Sequence, residues 1–191
     1  MAKTTIYLVR HAHSVYSPDE LGRPLSQKGI KDAERITYLL KDAAIEKVIS
    51  SPYKRAVQTV DGIASQFQLD IEIMDDLKER KLSEYSVPDF QETMDKVWGN
   101  PHFALVGGES NMVAQERGVR AIKSILKKYA GKNIVIGTHG NIMVLIMNYF
   151  DPRYNYDFWR SLSMPDLYKL VFKSDELIQV EGLNNLQDPS E

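Results

Sequence analysis

Cysteine is absent from all 191 residues. Disulfide frameworks, zinc–cysteine modules and thiol nucleophiles are therefore excluded, and nothing in the fold depends on the redox compartment. Long apolar runs are missing too, since no stretch approaches the ~20 residues of a membrane span. The opening MAKTTIYLVRHAHS carries one lysine, and its run from Ile6 to Val9 is far shorter than a signal h-region. A cytoplasmic chain is the expectation. Neither sign of charge dominates: 24 basic against 26 acidic side chains leave a formal charge of −2, which gives no reason to expect nucleic acid or a membrane as partner. There is also no internal repeat, no low-complexity segment, no glycine-rich phosphate loop and no apolar stripe to mark a subunit interface.

What is present is ordinary globular composition, 43% hydrophobic and 26% charged. At ~150 residues per domain, the length predicts one domain over 1–181, with a tail over 182–191 that has no apolar face. Thr4 to Val9 is a β-branched, nearly continuous apolar run, the pattern of a strand buried on both sides of a parallel sheet. After Ser26, the residues Ile30, Ala33, Ile36, Leu39, Leu40 and Ala43 follow helical spacing. Lys47–Ser50 is a second strand. Ser51-Pro52 then reads as N-cap and first-turn proline of a helix whose apolar face runs from Ala56 to Phe67. Leu69–Ile73 forms a third strand, Val113 to Tyr129 a helix ending near Gly131, and Asn133–Ile136 a fourth strand running into Thr138-His139-Gly140-Asn141 and an apolar segment to Phe150. Tyr168–Phe172 and Leu177–Val180 look like a closing hairpin or edge pair. This alternation predicts an α/β fold, a mostly parallel central sheet with helices on both faces. Between about 84 and 109 the periodicity lapses, and Pro88, Pro101 and Gly107-Gly108 punctuate it; that stretch reads as a lid insertion.

In a parallel sheet the residues just after each strand gather along one edge, where such folds bind ligands. Here the strands deliver Arg10 and His11, then Ser50-Ser51-Pro52 with Arg55 in the following helical turn, then His139. Clustered cations repel each other unless an anion arrives, and a helix N-terminus beside Arg55 also favours one. A phosphate site is implied. Without P-loop glycines or metal carboxylates such a site needs its own nucleophile, and a neutral imidazole nitrogen can attack phosphorus to form a phosphohistidine. His11 is placed for that, while the arginines neutralise the equatorial oxygens and His139 can donate to the same group. A leaving alkoxide needs a proton; of Asp75, Asp76 and Glu79 near the third strand, with Glu84 a further competitor, Glu79 is the choice.

LVRHAHS, SSPYKRAVQT, LKER, GGES followed by Arg117, and GTHGN, in that order, resemble the histidine phosphatase superfamily, also called the phosphoglycerate mutase-like family. The likeness runs from about Ile6 to Asn141. It implies that His11 is the phosphorylated nucleophile, Arg10 and Arg55 the phosphate-binding arginines, His139 the second catalytic histidine and Glu79 the proton donor. It further implies that Ser17 stands where the family often has asparagine near the phosphate, that the Gly140 N–H faces the substrate, and that no metal or other cofactor is needed. Two departures stand out. Ala12 replaces the usual glycine, and the block after Glu79 reads Arg80-Lys81-Leu82-Ser83-Glu84-Tyr85, without the glycine and tryptophan-glutamate-glycine ending common among phosphatase members.

The resulting expectation is a metal-independent, histidine acid-type phosphomonoesterase acting through a phosphohistidine on a small phosphorylated metabolite. The short chain favours it over a mutase. A phosphohistidine-protein phosphatase and a non-catalytic phosphate-binding protein are the other readings. His13 reads as a pocket-rim residue, lacking the carboxylate partners of a metal site; His102 reads as a surface loop residue, and Glu109-Ser110 as the start of the helix carrying Arg117. Phe90, Trp98 and Phe103 form either a substrate pocket or the lid's own small core. Lys78, Arg80 and Lys81 form either a solvated face or a site for an extra anionic group.

Overall fold

The computed structural model describes residues 2–183. One six-stranded sheet runs through it: β1 (Lys3–Arg10), β2 (Lys47–Ser50), β3 (Ile71–Ile73), β4 (Asn133–Thr138), β5 (Asp166–Lys173) and β6 (Glu176–Gly182), in the order β3-β2-β4-β1-β5-β6. The first four are parallel to one another, β5 runs antiparallel to β1, and β6 runs antiparallel to β5. The mostly parallel α/β fold expected from the strand–helix alternation is thus present. β5 is an interior strand beside β1, so only β6 forms that edge.

The apolar run of β1 is continuous because both of its faces are covered. Ile6 and Leu8 belong to a core with Ile49, Ile134 and Ile136, under α4 (Asn111–Lys128) and α5 (Gly140–Phe150). Tyr7 and Val9 belong to a second core with Val48 and Val135, under α1 (Gln27–Leu39) and α2 (Lys54–Gln66). Ile30 of α1 and Val113 of α4, both counted on buried faces, are exposed. Their helices are wide enough to be held by the remaining apolar positions.

Among the boundaries that differ from the sequence reading, β3 starts at Ile71 and not at Leu69, and three others matter more. Helix α2 starts two residues later than Ser51-Pro52 implies: its N-cap position is Tyr53, and the Ser51 hydroxyl is engaged elsewhere. The stretch over 84–109 contains α3 (Phe90–Gly99), capped by Asp89 and holding Met94 and Val97 buried; with only those two buried positions its periodicity is faint. The expected tail does not begin at 182, because Gly182 ends β6 and the Leu183 N–H donates to Leu167 O at 2.9 Å. The rest of that tail, from 184, lies outside the described residues.

Candidate active site

Strand register assembles the site. Arg10 pairs with Thr138 and Ser50 with Gly137, so the residues one step further, His11, His139 and Ser51, emerge together at the carboxyl edge. The His11 N–H continues the ladder onto Thr138 O, and the Ser51 N–H onto Gly137 O. All three residues are buried. The His11 and His139 rings meet edge to face with centroids 5.1 Å apart.

His11 Nδ1 lies 2.8 Å from Ala12 O. A carbonyl only accepts, so Nδ1 carries the hydrogen and the neutral ring presents a lone pair at Nε2. Arg55 Nε donates to that Nε2 at 3.3 Å. Burial, opposed by the Ala12 hydrogen bond and reinforced by the charges of Arg55, Arg10 and Arg23, pushes the His11 pKa down to about 3. The imidazole is neutral at physiological pH. His139, fully buried, is likewise held well below the ordinary histidine range, first by burial and then by His11, Arg55, Arg23 and Arg10. Its Nε2 is 2.7 Å from Ser51 Oγ, while its Nδ1 is buried with no hydrogen-bond partner among the described residues.

Arg10 Nη1 donates to Ser163 O at 2.9 Å, and the Ser163 N–H donates to Asp166 on β5. Arg10 Nε is buried and unpartnered among the described residues. Gly140 is needed beside it: a Cβ there would stand 3.1 Å from Arg10 Nε and 3.2 Å from Cζ. That close approach, rather than unusual backbone dihedrals, is what the glycine provides. Burial lowers the Arg10 pKa, with Glu79 and Asp166 opposing the shift. Arg55 is also buried, and its guanidinium lies 4.7 Å over the Tyr53 ring.

Glu79 arrives from the loop after β3. Its carboxylate takes three backbone N–H groups, Arg80 (2.8 Å) and Ile142 (3.0 Å) on Oε1 and Asn141 (3.1 Å) on Oε2. It thereby sits at the N-terminus of α5, beside His139, with a lone pair of Oε2 unused. Its loop is clamped from α4. Arg117 grips Glu109 through two bonds of 2.9 Å and donates to the carbonyls of Asp76 and Lys78, while Glu109 accepts from the Lys81 N–H. Ser110 caps α4, in line with the structural reading of Glu109-Ser110. Arg117 as a clamp on the Glu79 loop is a contact that sequence spacing does not reveal.

Arg10, His11, Arg55, Glu79, His139 and Gly140 therefore come together. Ser17 makes no hydrogen bond to them among the described residues; its hydroxyl accepts the Asp19 N–H at 3.2 Å within the 14–25 loop. Ala12 is fully buried with Leu25 and Ala33 and has no positive φ, so its methyl is packing and the loop does not require glycine. His13 Nδ1 meets Ser26 Oγ at 2.8 Å, at the start of α1, and His102 is exposed. Among the described residues, no group of three or more His, Asp and Glu is arranged to hold a metal. No helix there is long and apolar enough to cross a membrane.

The basic run splits. Lys78 pairs with Asp75 and Lys81 is exposed, but Arg80 turns inward, buried between Asn111 Oδ1 (3.1 Å) and Met94 Sδ (3.2 Å). A solvated face does not describe it. Trp98 stacks on Tyr156 and lines a cavity of about 540 Å³ beside α4 and α5 that neither histidine enters, and Phe90 is exposed. Two residues that escaped the sequence reading border the site, Arg23 and Glu20; nothing in DELGRPL marks them.

The family model of the histidine phosphatase superfamily (branch 1) matches residues 6–185. An adenosylcobalamin/alpha-ribazole phosphatase of Escherichia coli (strain K12) is 23% identical over 155 residues, covering 74% of this chain and 76% of its own. Phosphoglycerate mutase-like protein 4 of Arabidopsis thaliana is 29% identical over 155 residues, 72% of this chain and 67% of its own. The solved structure of a phosphoserine phosphatase mutant from Entamoeba histolytica in complex with phosphoserine has the same fold, with a TM-score of 0.79 at 16% identity over 96% of this chain and 98% of its own. A match over 6–185, which takes in the whole clustered site and all of the sheet but the start of β1, shows that this chain belongs to the histidine phosphatase superfamily.

Proposed function

We propose that the protein is a phosphomonoesterase, a histidine acid-type phosphatase that works through a phosphohistidine at His11. The observation that carries this reading is the His11 tautomer: Nδ1–H is committed to Ala12 O, and the Nε2 lone pair faces Arg55. In the first step a bond forms between Nε2 and phosphorus as the ester oxygen–phosphorus bond breaks, and Glu79 gives the leaving oxygen its proton. Arg55 turns its Nε–H hydrogen bond from the imidazole to a phosphoryl oxygen, Arg10 offers its unpartnered Nε–H, and His139, with Ser51 donating to its Nε2, offers an Nδ1–H. In the second step Glu79 takes a proton from water as the water oxygen bonds to phosphorus and the nitrogen–phosphorus bond breaks, releasing inorganic phosphate and restoring neutral His11. No step needs a metal ion.

Two of the relatives named above, the alpha-ribazole phosphatase and the phosphoserine phosphatase, support hydrolysis of small phosphorylated metabolites as the reaction class. The test is release of inorganic phosphate from an aryl phosphate and a panel of metabolite phosphomonoesters, with chelator present, by wild type and His11→Ala. Metal-independent release that disappears in a folded His11→Ala protein is the expected result. A folded, active His11→Ala protein would sink the mechanism. Absence of release by wild type, with phosphate binding retained, would favour a mutase awaiting its acceptor or a binding protein.

A further inference from the structure

Arg55 is not free to receive a phosphoryl group, because its anion-binding edge is already taken. The Nε–H and Nη2–H bonds of an arginine leave the same side of the planar guanidinium, the fork that clamps two oxygens of an oxyanion. In Arg55, Nε is directed at His11 Nε2 (3.3 Å), and Nη2 lies 3.2 Å from Glu20 Oε2. A carboxylate oxygen of the protein itself therefore shares one guanidinium edge with the nucleophilic nitrogen, on the fork that an oxyanion bonded to that nitrogen needs. The other oxygen of Glu20 is 2.9 Å from Arg23 Nη1. The carboxylate thus bridges two guanidinium groups, as one end of a phosphate does.

Arg23 is the less explained of the two cations. Its Nε is buried and has no partner among the described residues, and its side chain is only 21% exposed. Its charge reaches the site: it is among the charges that lower the pKa of His11, of His139 and of Arg55. Glu20, by contrast, is 54% exposed and can leave without moving the loop. Its backbone carbonyl accepts from Arg55 Nη1 at 2.8 Å, the neighbouring Leu21 O accepts the Lys54 N–H, and Asp19 Oδ1 accepts the Gly22 N–H. Gly22 allows that turn, since a Cβ there would meet Asp19 Oδ2 at 2.2 Å. Side-chain rotation alone would swing the carboxylate into water and leave Arg23 behind.

We propose that Arg23 is a third arginine of the phosphoryl site and that Glu20 is a tethered placeholder for the phosphoryl oxygens. An incoming phosphoryl dianion displaces the Glu20 carboxylate from Arg55 and takes the N–H groups of Arg23 in its place. Until then Glu20 keeps the two guanidinium groups close despite their mutual repulsion. It also sets a threshold, since a singly charged, weakly held anion must compete with a carboxylate already in position. The proposal rests on the reading that this site takes a phosphoryl group, but its test does not require turnover.

The experiment is titration calorimetry of inorganic phosphate into the full chain, as wild type, Glu20→Gln, Arg23→Met and the double variant. Removing the placeholder charge should tighten phosphate by about fivefold, and removing one charge-assisted donor should weaken it by about tenfold. The decisive measurement is Arg23→Met in the Glu20→Gln background. If Arg23 binds phosphate, the loss of about tenfold persists there; if Arg23 only neutralises Glu20, the loss vanishes and the proposal is overturned. Phosphate binding no tighter in Glu20→Gln than in wild type overturns it as well. Should Arg23→Met fail to fold, Arg23→Lys, which keeps the charge but loses the fork, tests the same point through a smaller loss. An enzyme that hydrolyses phosphoesters without this pattern ends the proposal alone; the pattern without turnover ends the hydrolase reading alone.

Discussion

The strand ends that carry the two histidines and the segment over 84–109 are joined through the Glu79 loop, yet they are built on opposite principles. At the strand ends, His11, Ser51, Arg55 and His139 are almost wholly shielded and held by parallel register, and their charges and lone pairs are set by burial. The 84–109 segment leaves the chain five residues after Glu79 and returns to it, tied by Glu84 N–H to Val106 O and Glu109 N–H to Lys81 O. Within it only Met94 and Val97 of α3 are buried, while Tyr85, Phe90 and Val106 are exposed. Reaction chemistry needs fixed geometry and low dielectric, whereas discrimination among leaving groups needs a surface that can vary without disturbing them. The Glu79 loop is the joint between the two.

The largest effect that tests this division is at the joint. Glu79→Gln keeps one of the two oxygens that accept from α5 but cannot carry the proton, and the rate should fall by about 10²–10⁴ on substrates with a poorly departing alkoxide. The fall should be much smaller on an aryl phosphate, whose leaving oxygen needs little protonation. Steady-state kinetics on the two substrate types checks it, and an equal fall on both would mean that Glu79 positions rather than protonates. Gly140→Ala comes next. Its Cβ would press on Arg10 at 3.1–3.4 Å, and a displacement of a few tenths of an ångström should reduce kcat/KM by roughly tenfold, with KM rising. Unchanged kinetics would show that Arg10 has room to shift.

The same division decided what was legible in the sequence. Strands β1, β2 and β4 and the residues beyond them could be read because a run buried on both faces is apolar throughout, and a charged or imidazole residue ending such a run is conspicuous. Helix α3 was hidden because a surface helix with two buried positions leaves almost no periodicity. Ser51 was misread as a cap because a serine–proline pair has the same appearance whether its hydroxyl turns to a helix or to His139. Arg80 looked like part of a charged surface, and only the folded chain shows it buried against Asn111 and Met94. Glu20 and Arg23 were invisible for a different reason. Their role depends on a turn folding back over α2, which is long-range geometry with no local pattern.

Stability against pH gives an intermediate effect that belongs to the strand ends alone. The pKa of His11 falls from its ordinary 6.5 to about 3 in the folded protein, so between those values the unfolded chain binds a proton that the folded one refuses. Stability is then full above pH 6.5 and is lost as pH falls towards 3, with a slope of about 1.4 kcal/mol per pH unit from this group. His139, shifted in the same direction, steepens it. Urea unfolding at pH 7, 6 and 5 should show the loss, and His11→Asn should flatten it; equal slopes for both proteins would mean that His11 stays protonated when folded.

The smallest effects are expected on the exposed side of the 84–109 segment. Tyr85 and Phe90 are 67% and 54% exposed, so Tyr85→Ala and Phe90→Ala should each change stability by no more than about 0.5 kcal/mol. If a leaving group is read by these rings, the sign is a change of roughly fivefold in the ratio of kcat/KM between substrates with bulky and small leaving groups, since partly burying one aromatic ring is worth about 1 kcal/mol. Steady-state kinetics on a panel of phosphomonoesters that differ in leaving-group bulk reads that ratio directly. A uniform fall across the panel, comparable with that of Glu79→Gln on alkyl esters, would dissolve the division, because it would make the segment part of the machinery that moves the phosphoryl group.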